Sequence, residues 1–258
     1  MRELFSCALD GQPLHQLDDA IILLDIQEHP AEAAAHTFFP AGGGARFFGS
    51  KRRTLSVSLL LEIHEYDPPR RKHLCQEINR WAMTGRVLTI TDRPGQQLCV
   101  RCTTPLVIPS ALRWTQSLKL TFAAYERPYW EDETPTFIRW AAAKQQHEGA
   151  LFLPGTAEKA PAEAEIIPAQ GGSGDVTVRV GDTVITLAGL TLTAGQAVRI
   201  GYDASGLMEI RNGGVSVMKS RTGESSDELL AVPGQSSAIS ITAPVPVTAV
   251  VSARGCWV

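Results

Sequence analysis

Several groups of residues in this 258-residue sequence have types and spacings that could do chemistry. Cys99-Val100-Arg101-Cys102 is a CxxC pair. A tetrahedral zinc site needs four ligands, commonly from a second such pair or from two suitably spaced histidines, and no second pair exists. On one strand these two thiols would point to opposite faces, so they read as unrelated strand cysteines. Gly44-Ala45-Arg46-Phe47-Phe48-Gly49-Ser50-Lys51 has the outline of a phosphate loop. That loop needs Lys directly after its second glycine and a helix after it, whereas here Ser50 precedes Lys51 and a strand follows. The segment reads as a Gly-rich loop. The six histidines, at 15, 29, 36, 64, 73 and 147, form no HExxH pair, because His64-Glu65 and His147-Glu148 each lack the second His. They read as solvated or loop histidines, and no GxSxG elbow surrounds any serine. Asp18-Asp19 and Glu131-Asp132-Glu133 lie in turn-like segments and read as solvated surface. A glycosidase pair converges only in three dimensions, so spacing alone does not place one.

Two basic clusters, Lys51-Arg52-Arg53 and Arg70-Arg71-Lys72, could touch nucleic acid or an acidic partner. Basic and acidic side chains balance over residues 1–140, which favours the solvated rims of a strand and a helix. Trp130, Trp140, Tyr202 and Trp257 could stack on sugars, although a β-sandwich also uses such rings in its core. No residue is nominated as catalytic, cofactor-binding or metal-binding, and no cofactor is expected.

The composition narrows the function classes further. A net charge of −3 and a pI of about 6.1 speak against a general nucleic-acid binder. With 44% hydrophobic and 20% charged residues the chain is globular in composition. The longest apolar run, Ala20 to Leu24, is closed by Asp25 and is far too short for a membrane span. The first residues have no long apolar core, so a secretory signal is not expected. Five scattered cysteines, at 7, 75, 99, 102 and 256, read as reduced thiols rather than a disulfide framework.

The elements that would position these residues are mostly strands. Leu55, Val57, Leu59, Leu61 and Ile63 alternate with more polar neighbours, a period-two pattern. Val87–Thr91, the turn Asp92-Arg93-Pro94-Gly95 and Leu98–Cys102 form a predicted hairpin. Ala20–Ile26 and Ser117–Tyr125 are further predicted strands. One helix is expected over about 69–83: Asp67 can cap it, Pro68-Pro69 suits a first turn, and Gly85 suits its end. Its stripe is Leu74, Ile78 and Trp81, widened by Cys75 and Ala82, which predicts that Trp81 is buried. After Ile166 the chain reads as short strands punctuated by glycine, the pattern of a sandwich or barrel. These shifts predict two domains, 1–135 and 136–258, with a linker segment inside 132–165 and an exposed connector at Thr156–Pro161.

The order of segments resembles the distal tail protein family of long-tailed, siphovirus-type phages and prophages. Leu9-Asp10-Gly11 is followed by Ala20–Ile26, then by a Gly-rich loop leading into Arg53-Thr54-Leu55-Ser56-Val57. The Pro-started helix ends with Trp81, Gly85–Pro94 follows, and Leu120–Tyr125 runs into Arg127-Pro128-Tyr129-Trp130, the most specific piece. Gly189–Ile200, Leu230–Gly234 and the closing Arg254-Gly255-Cys256-Trp257 fit the second half more loosely. Where the family often has Asn-x-Gly, this chain has His147-Glu148-Gly149.

The resemblance implies a mainly β protein. Its N-terminal domain would be a β-barrel-like split barrel with one helix, and its C-terminal domain a galectin-like β-sandwich. The implied role is structural and non-enzymatic: a homo-hexameric ring at the virion tail tip or baseplate, assembled in the bacterial host cytoplasm. Its partners would be the tail tube protein, the tail-tip hub or tail-associated lysin, and a receptor-binding protein. Neither sequence-specific nucleic-acid binding nor membrane insertion is implied. The alternative reading is a carbohydrate-binding module attaching an assembly to host glycans, with Tyr202 or Trp257 stacking on the sugar. An enzyme of the glycosidase or lysin class is a third reading, for which no motif places the carboxylates.

Overall fold

A computed structural model describes residues 5–30, 33–38, 46–52, 54–107, 117–203 and 206–258, with side chains omitted for 33–38 and 46–52. The chain divides into two compact units, Met1–Trp130 with Val258, and Glu131–Trp257. The protein is mainly β with one α-helix.

The first unit contains β1 (Cys7–Leu9), β2 (Gln12–Pro13), β3 (Ile21–His29), β4 (Ala33–Phe38), β5 (Arg46–Arg52), β6 (Leu55–Ile63), α1 (Pro68–Thr84), β7 (Val87–Ile90), β8 (Gln96–Cys99), β9 (Arg101–Thr104) and β10 (Ser117–Ala124). One sheet runs β3-β6-β10-β9, and another contains β2-β1-β7-β8. All strand pairs within them are antiparallel. The period-two pattern of β6 sends Leu55, Val57, Leu59, Leu61 and Ile63 into the core, each at most 2% exposed. Leu118, Leu120 and Phe122 of β10 join them on the same face, paired residue for residue with β6. The predicted hairpin forms between β7 and β8, with Gly95 at φ 73° in the turn. Part of the expected Gly-rich loop is strand, since Arg46–Arg52 pairs with β4.

Helix α1 starts as its sequence dictates. The Asp67 carboxylate accepts from the Arg70 backbone N–H, and the two prolines fill positions whose N–H groups need no helical partner. Its buried stripe is Leu74, Cys75, Ile78, Trp81 and Ala82, with Arg71 added. The Trp81 indole N–H donates to the Gln12 carbonyl at 3.1 Å, and its ring meets Phe122 edge-on at 6.2 Å. Gly85 follows the helix for a different reason than expected. Its φ of −70° is open to any residue, but a Cβ there would sit 2.7 Å from the Cβ of Leu9. Glycine lets the strand carrying Leu9 pass against the helix end.

The boundary strand β11 spans Trp130–Asp132. The second unit continues with β12 (Thr136–Phe152), β13 (Ala160–Pro168), β14 (Gly172–Val180), β15 (Thr183–Leu192), β16 (Val198–Tyr202), β17 (Met208–Asn212), β18 (Val215–Ser216), β19 (Leu230–Ala231), β20 (Ser236–Ala253) and β21 (Cys256–Trp257). Half of the stretch expected to hold a linker is the 17-residue strand β12, and Ala157 and Ala160 of the expected connector are buried. Strand β20 organises this unit. It pairs with β12 along its length, from Thr136 opposite Ala253 to Phe152 opposite Ser236. Its other edge serves β14 over Ile239–Thr242 and β13 over Val247–Ala253. Pro244 and Pro246 fall between these halves, and the β12 register shifts opposite them, between Lys144 and Gln146. Proline has no N–H for the ladder, so the paired strands bend there. The two arms of β12 then meet: the Trp140 indole N–H donates to the Glu148 carbonyl at 3.2 Å. A Cβ on Gly149 would lie 2.7 Å from Ile138 Cδ1. One curled sheet thus forms both layers of the second unit. The β15 edge is covered by the segment 222–226, with Ser226 N–H donating to Val184 O at 2.7 Å and Thr222 N–H to Thr186 O at 3.0 Å.

Trp81→Ala removes a side chain buried on the helix stripe together with its ring contact and hydrogen bond. The expected loss is about 3–5 kcal/mol, read as a lowered denaturant midpoint in urea titrations.

Candidate functional site

The groups weighed in the sequence are dispersed. The strand carrying the CxxC breaks at buried Val100, so Cys99 ends β8 in one sheet while Cys102 lies in β9 of the other. Among the described residues no three His, Cys, Asp or Glu side chains gather as metal ligands. Burial pushes the Cys7 thiol up to about 12, and burial also raises Cys75 and Cys102. The side chains of Lys51, Arg52 and His36 lie outside the described residues, as does Arg53.

Several residues expected in solvent instead hold the fold together. His147 is 4% exposed, its Nε2–H donates to Val247 O at 2.7 Å, and its ring lies 5.5 Å from that of Trp140. A lone histidine in a mixed segment gives no sequence signal for such a place. Arg71 is also buried rather than on a solvated rim, and its Nε has no hydrogen-bond partner. Arg70 is exposed as expected, paired with Asp18 at 3.2 Å and Glu65 at 3.0 Å. The Ala20 backbone N–H first, and Arg70 second, hold the Asp18 carboxyl below its ordinary range.

Glu131 and Asp132 also leave the solvent. Glu131 is buried, and the Asp132 carboxylate accepts the Trp257 indole N–H at 2.8 Å. The Asp132 backbone N–H donates to Gly255 O at 2.8 Å, and Arg254 donates to the carbonyls of Asp132 and Glu133. A Cβ on Gly255 would stand 2.0 Å from Asp132 Oδ2, so glycine is required for this approach. The closing Arg254–Trp257 motif is therefore a clamp on the start of the same unit.

The four aromatic candidates separate clearly. Trp130 is fully buried in the first unit. Its indole N–H donates to Glu28 Oε2 at 3.0 Å, and the Arg93 guanidinium lies 5.1 Å from its ring centroid. Arg93 also donates to Glu28 from Nε at 3.0 Å and from its terminal nitrogen at 2.9 Å. One carboxylate thus fixes the β3 strand, the hairpin turn and the Pro-Tyr-Trp segment. Trp257 is held by Asp132, and Trp140 sits at the bend of β12. Tyr202 is half-buried on the side of β16 that carries Val198 and Ile200, its hydroxyl donating to Leu229 O at 2.8 Å.

What remains for function in the first unit is surface. The β3-β6-β10-β9 sheet ends in two edges, and among the described residues neither β3 nor β9 pairs further. Leu24 is 41% exposed at a register break in β3. Beside it Phe5, Cys7, Leu14, Ile21 and Leu23 line an apolar cavity of about 240 Å³.

This architecture matches solved structures over nearly its whole length. The Dit protein (gp 19.1) of phage SPP1, described as a paradigm of the hub adsorption apparatus in phages infecting Gram-positive bacteria, aligns with a TM-score of 0.72. The alignment covers 97% of this chain and 98% of that one at 11% identity. The chain has the Dit fold. Chains of the phage P2 baseplate in its activated conformation, with Ca and with Sr, align with a TM-score of 0.51 at 12% identity, covering 97% of each chain. No family model and no curated protein matches the sequence.

Two outcomes are expected. Glu28→Ala leaves the buried Trp130 N–H without its acceptor and costs about 1–3 kcal/mol, while Glu28→Gln, which keeps an acceptor oxygen, costs less; thermal melts compare them. The buried Cys7 thiol stays protonated and unlabelled by a thiol reagent at pH 8 until the chain unfolds. Because its folded value lies above the ordinary 9.0, its contribution to stability is present below pH 9 and is lost as pH rises toward about 12. Denaturation midpoints measured across that range fall, and less steeply in Cys7→Ala.

Proposed function

We propose that this chain is a structural, non-enzymatic subunit of a phage tail tip or baseplate. In this reading six copies form a ring joining the tail tube protein to the tail-tip hub or tail-associated lysin, with a receptor-binding protein attached around it. It is made and assembled in the bacterial host cytoplasm and resides at the virion tail tip. The observation carrying this reading is the likeness to SPP1 Dit over nearly every residue of both chains.

The edges of the β3-β6-β10-β9 sheet support a ring. Each strand is antiparallel to its neighbour, so β9 runs opposite to β3. The β3 edge of one copy can therefore extend the β9 edge of the next as another antiparallel strand. The two edges differ, which makes the contact head-to-tail, and such a contact repeats until its rotation closes.

Light scattering with negative-stain imaging tests this. Closed rings of six times the 27.9 kDa chain mass are expected. Leu24→Lys puts a charge on the β3 edge and is expected to release monomers with an unchanged melting temperature. A chain that stays monomeric at high concentration, alone and with the tail tube protein, overturns the ring.

A further inference from the structure

Helix α1 fixes the segment that leaves β9. Beyond Thr104 the chain runs through Pro105 to Leu106, which is buried. The Asn79 side chain takes both backbone groups of Leu106. Its amide donates to the Leu106 carbonyl at 3.0 Å, and its own carbonyl oxygen accepts the Leu106 N–H at 2.7 Å. The next residue, Val107, is 78% exposed. A lone exposed valine needs no explanation. This one follows an edge strand and is attached to a residue clamped on both sides, so an apolar side chain is held ready in water. Little ordering is left for a partner to impose.

A matching hollow lies at the opposite edge of the same sheet. The apolar cavity of about 240 Å³ sits beside the first residues of β3, and it reaches the surface at exposed His15. Ile21 and Leu23 in its lining share the buried face of Ile63 and Leu61, their partners on β6. Leu106 is on that side too, since it is bound to α1, which packs on this face through Trp81 and Phe122. When β9 of one copy lies antiparallel to β3 of the next, the chain leaving β9 heads toward the start of β3. Cys102 pairs with Phe122 and Ile26 with Leu59, so both face inward. Set opposite each other across the contact, they fix a register. Five residues on from Cys102 is Val107, and five back from Ile26 is Ile21, at the cavity.

We infer that Val107 of one copy seats in the apolar cavity beside β3 of the next copy. The inference rests on the ring reading and names the contact that gives the ring its direction. A protruding side chain on one edge and its hollow on the other repeat only head to tail. Val107 makes the contact, and Asn79 positions it.

The test dilutes the full chain and follows ring dissociation by light scattering, with negative-stain images of the same samples. Val107→Lys is expected to raise the concentration at which rings dissociate at least tenfold. Val107→Leu keeps the rings, and Val215→Lys, at an equally exposed valine on β18 of the second unit, leaves them unchanged. Asn79→Ala weakens the rings, and adding it to Val107→Lys weakens them no further, as expected of a residue that acts through Val107. Melting temperatures taken below the concentration of ring formation establish that each variant is folded. In a second measurement Val107→Cys is combined with His15→Cys. Mild oxidation is expected to link neighbouring copies into a ladder of up to six chains, which neither single variant gives. Rings that resist dilution equally well in folded Val107→Lys, or that give no ladder with the cysteine pair, overturn this seat and leave the ring standing. A wild-type chain that stays monomeric at high concentration, alone and with the tail tube protein, overturns both.

Discussion

The second unit depends on one strand keeping one face out of water for eighteen residues. Along β20 every second side chain from Ser237 to Ala253 is buried, all of them small or β-branched. A flat sheet built on so long a strand would need a second apolar layer from elsewhere. Here the sheet supplies that layer itself. The Pro244–Pro246 bend divides the ladder between β14 and β13, and the bent β12 arms bring Ile138 and Trp140 against Gly149. Hydrophobic burial sets the curl, and the prolines decide where it happens.

The first unit meets the same demand with a helix. The α1 stripe is narrow, and its fit relies on close approaches: Gly85 against Leu9, and Trp81 against Phe122 with its N–H on the Gln12 carbonyl. Glu28 enters with its partners Arg93 and Trp130. This gives the segment resemblance a physical basis. Pro-Tyr-Trp is specific because Trp130 fills a closed site and needs a carboxylate on β3 to take its N–H.

Much of this was legible where one face of an element is buried and the other wet. The α1 stripe with its Asp67 cap, the alternation of β6 and the β7–β8 hairpin were plain in the residues. Strand β12 was not, because it is an edge strand with most side chains exposed, and Ala141-Ala142-Ala143-Lys144 carries no period of two. The buried places of His147, Arg71 and Glu131 were hidden for a related reason. A polar side chain is buried when a distant partner or packing encloses it, and spacing along the chain does not record that partner.

The clamp of Arg254–Trp257 on Asp132 and Glu133 brings the first and last segments of the second unit together, with Asp132 N–H and Gly255 O 2.8 Å apart. A unit whose entry and exit share one spot behaves as a cassette. Recombination at that spot can remove it, or exchange it for another compact module with adjacent ends, without stretching the chain on either side.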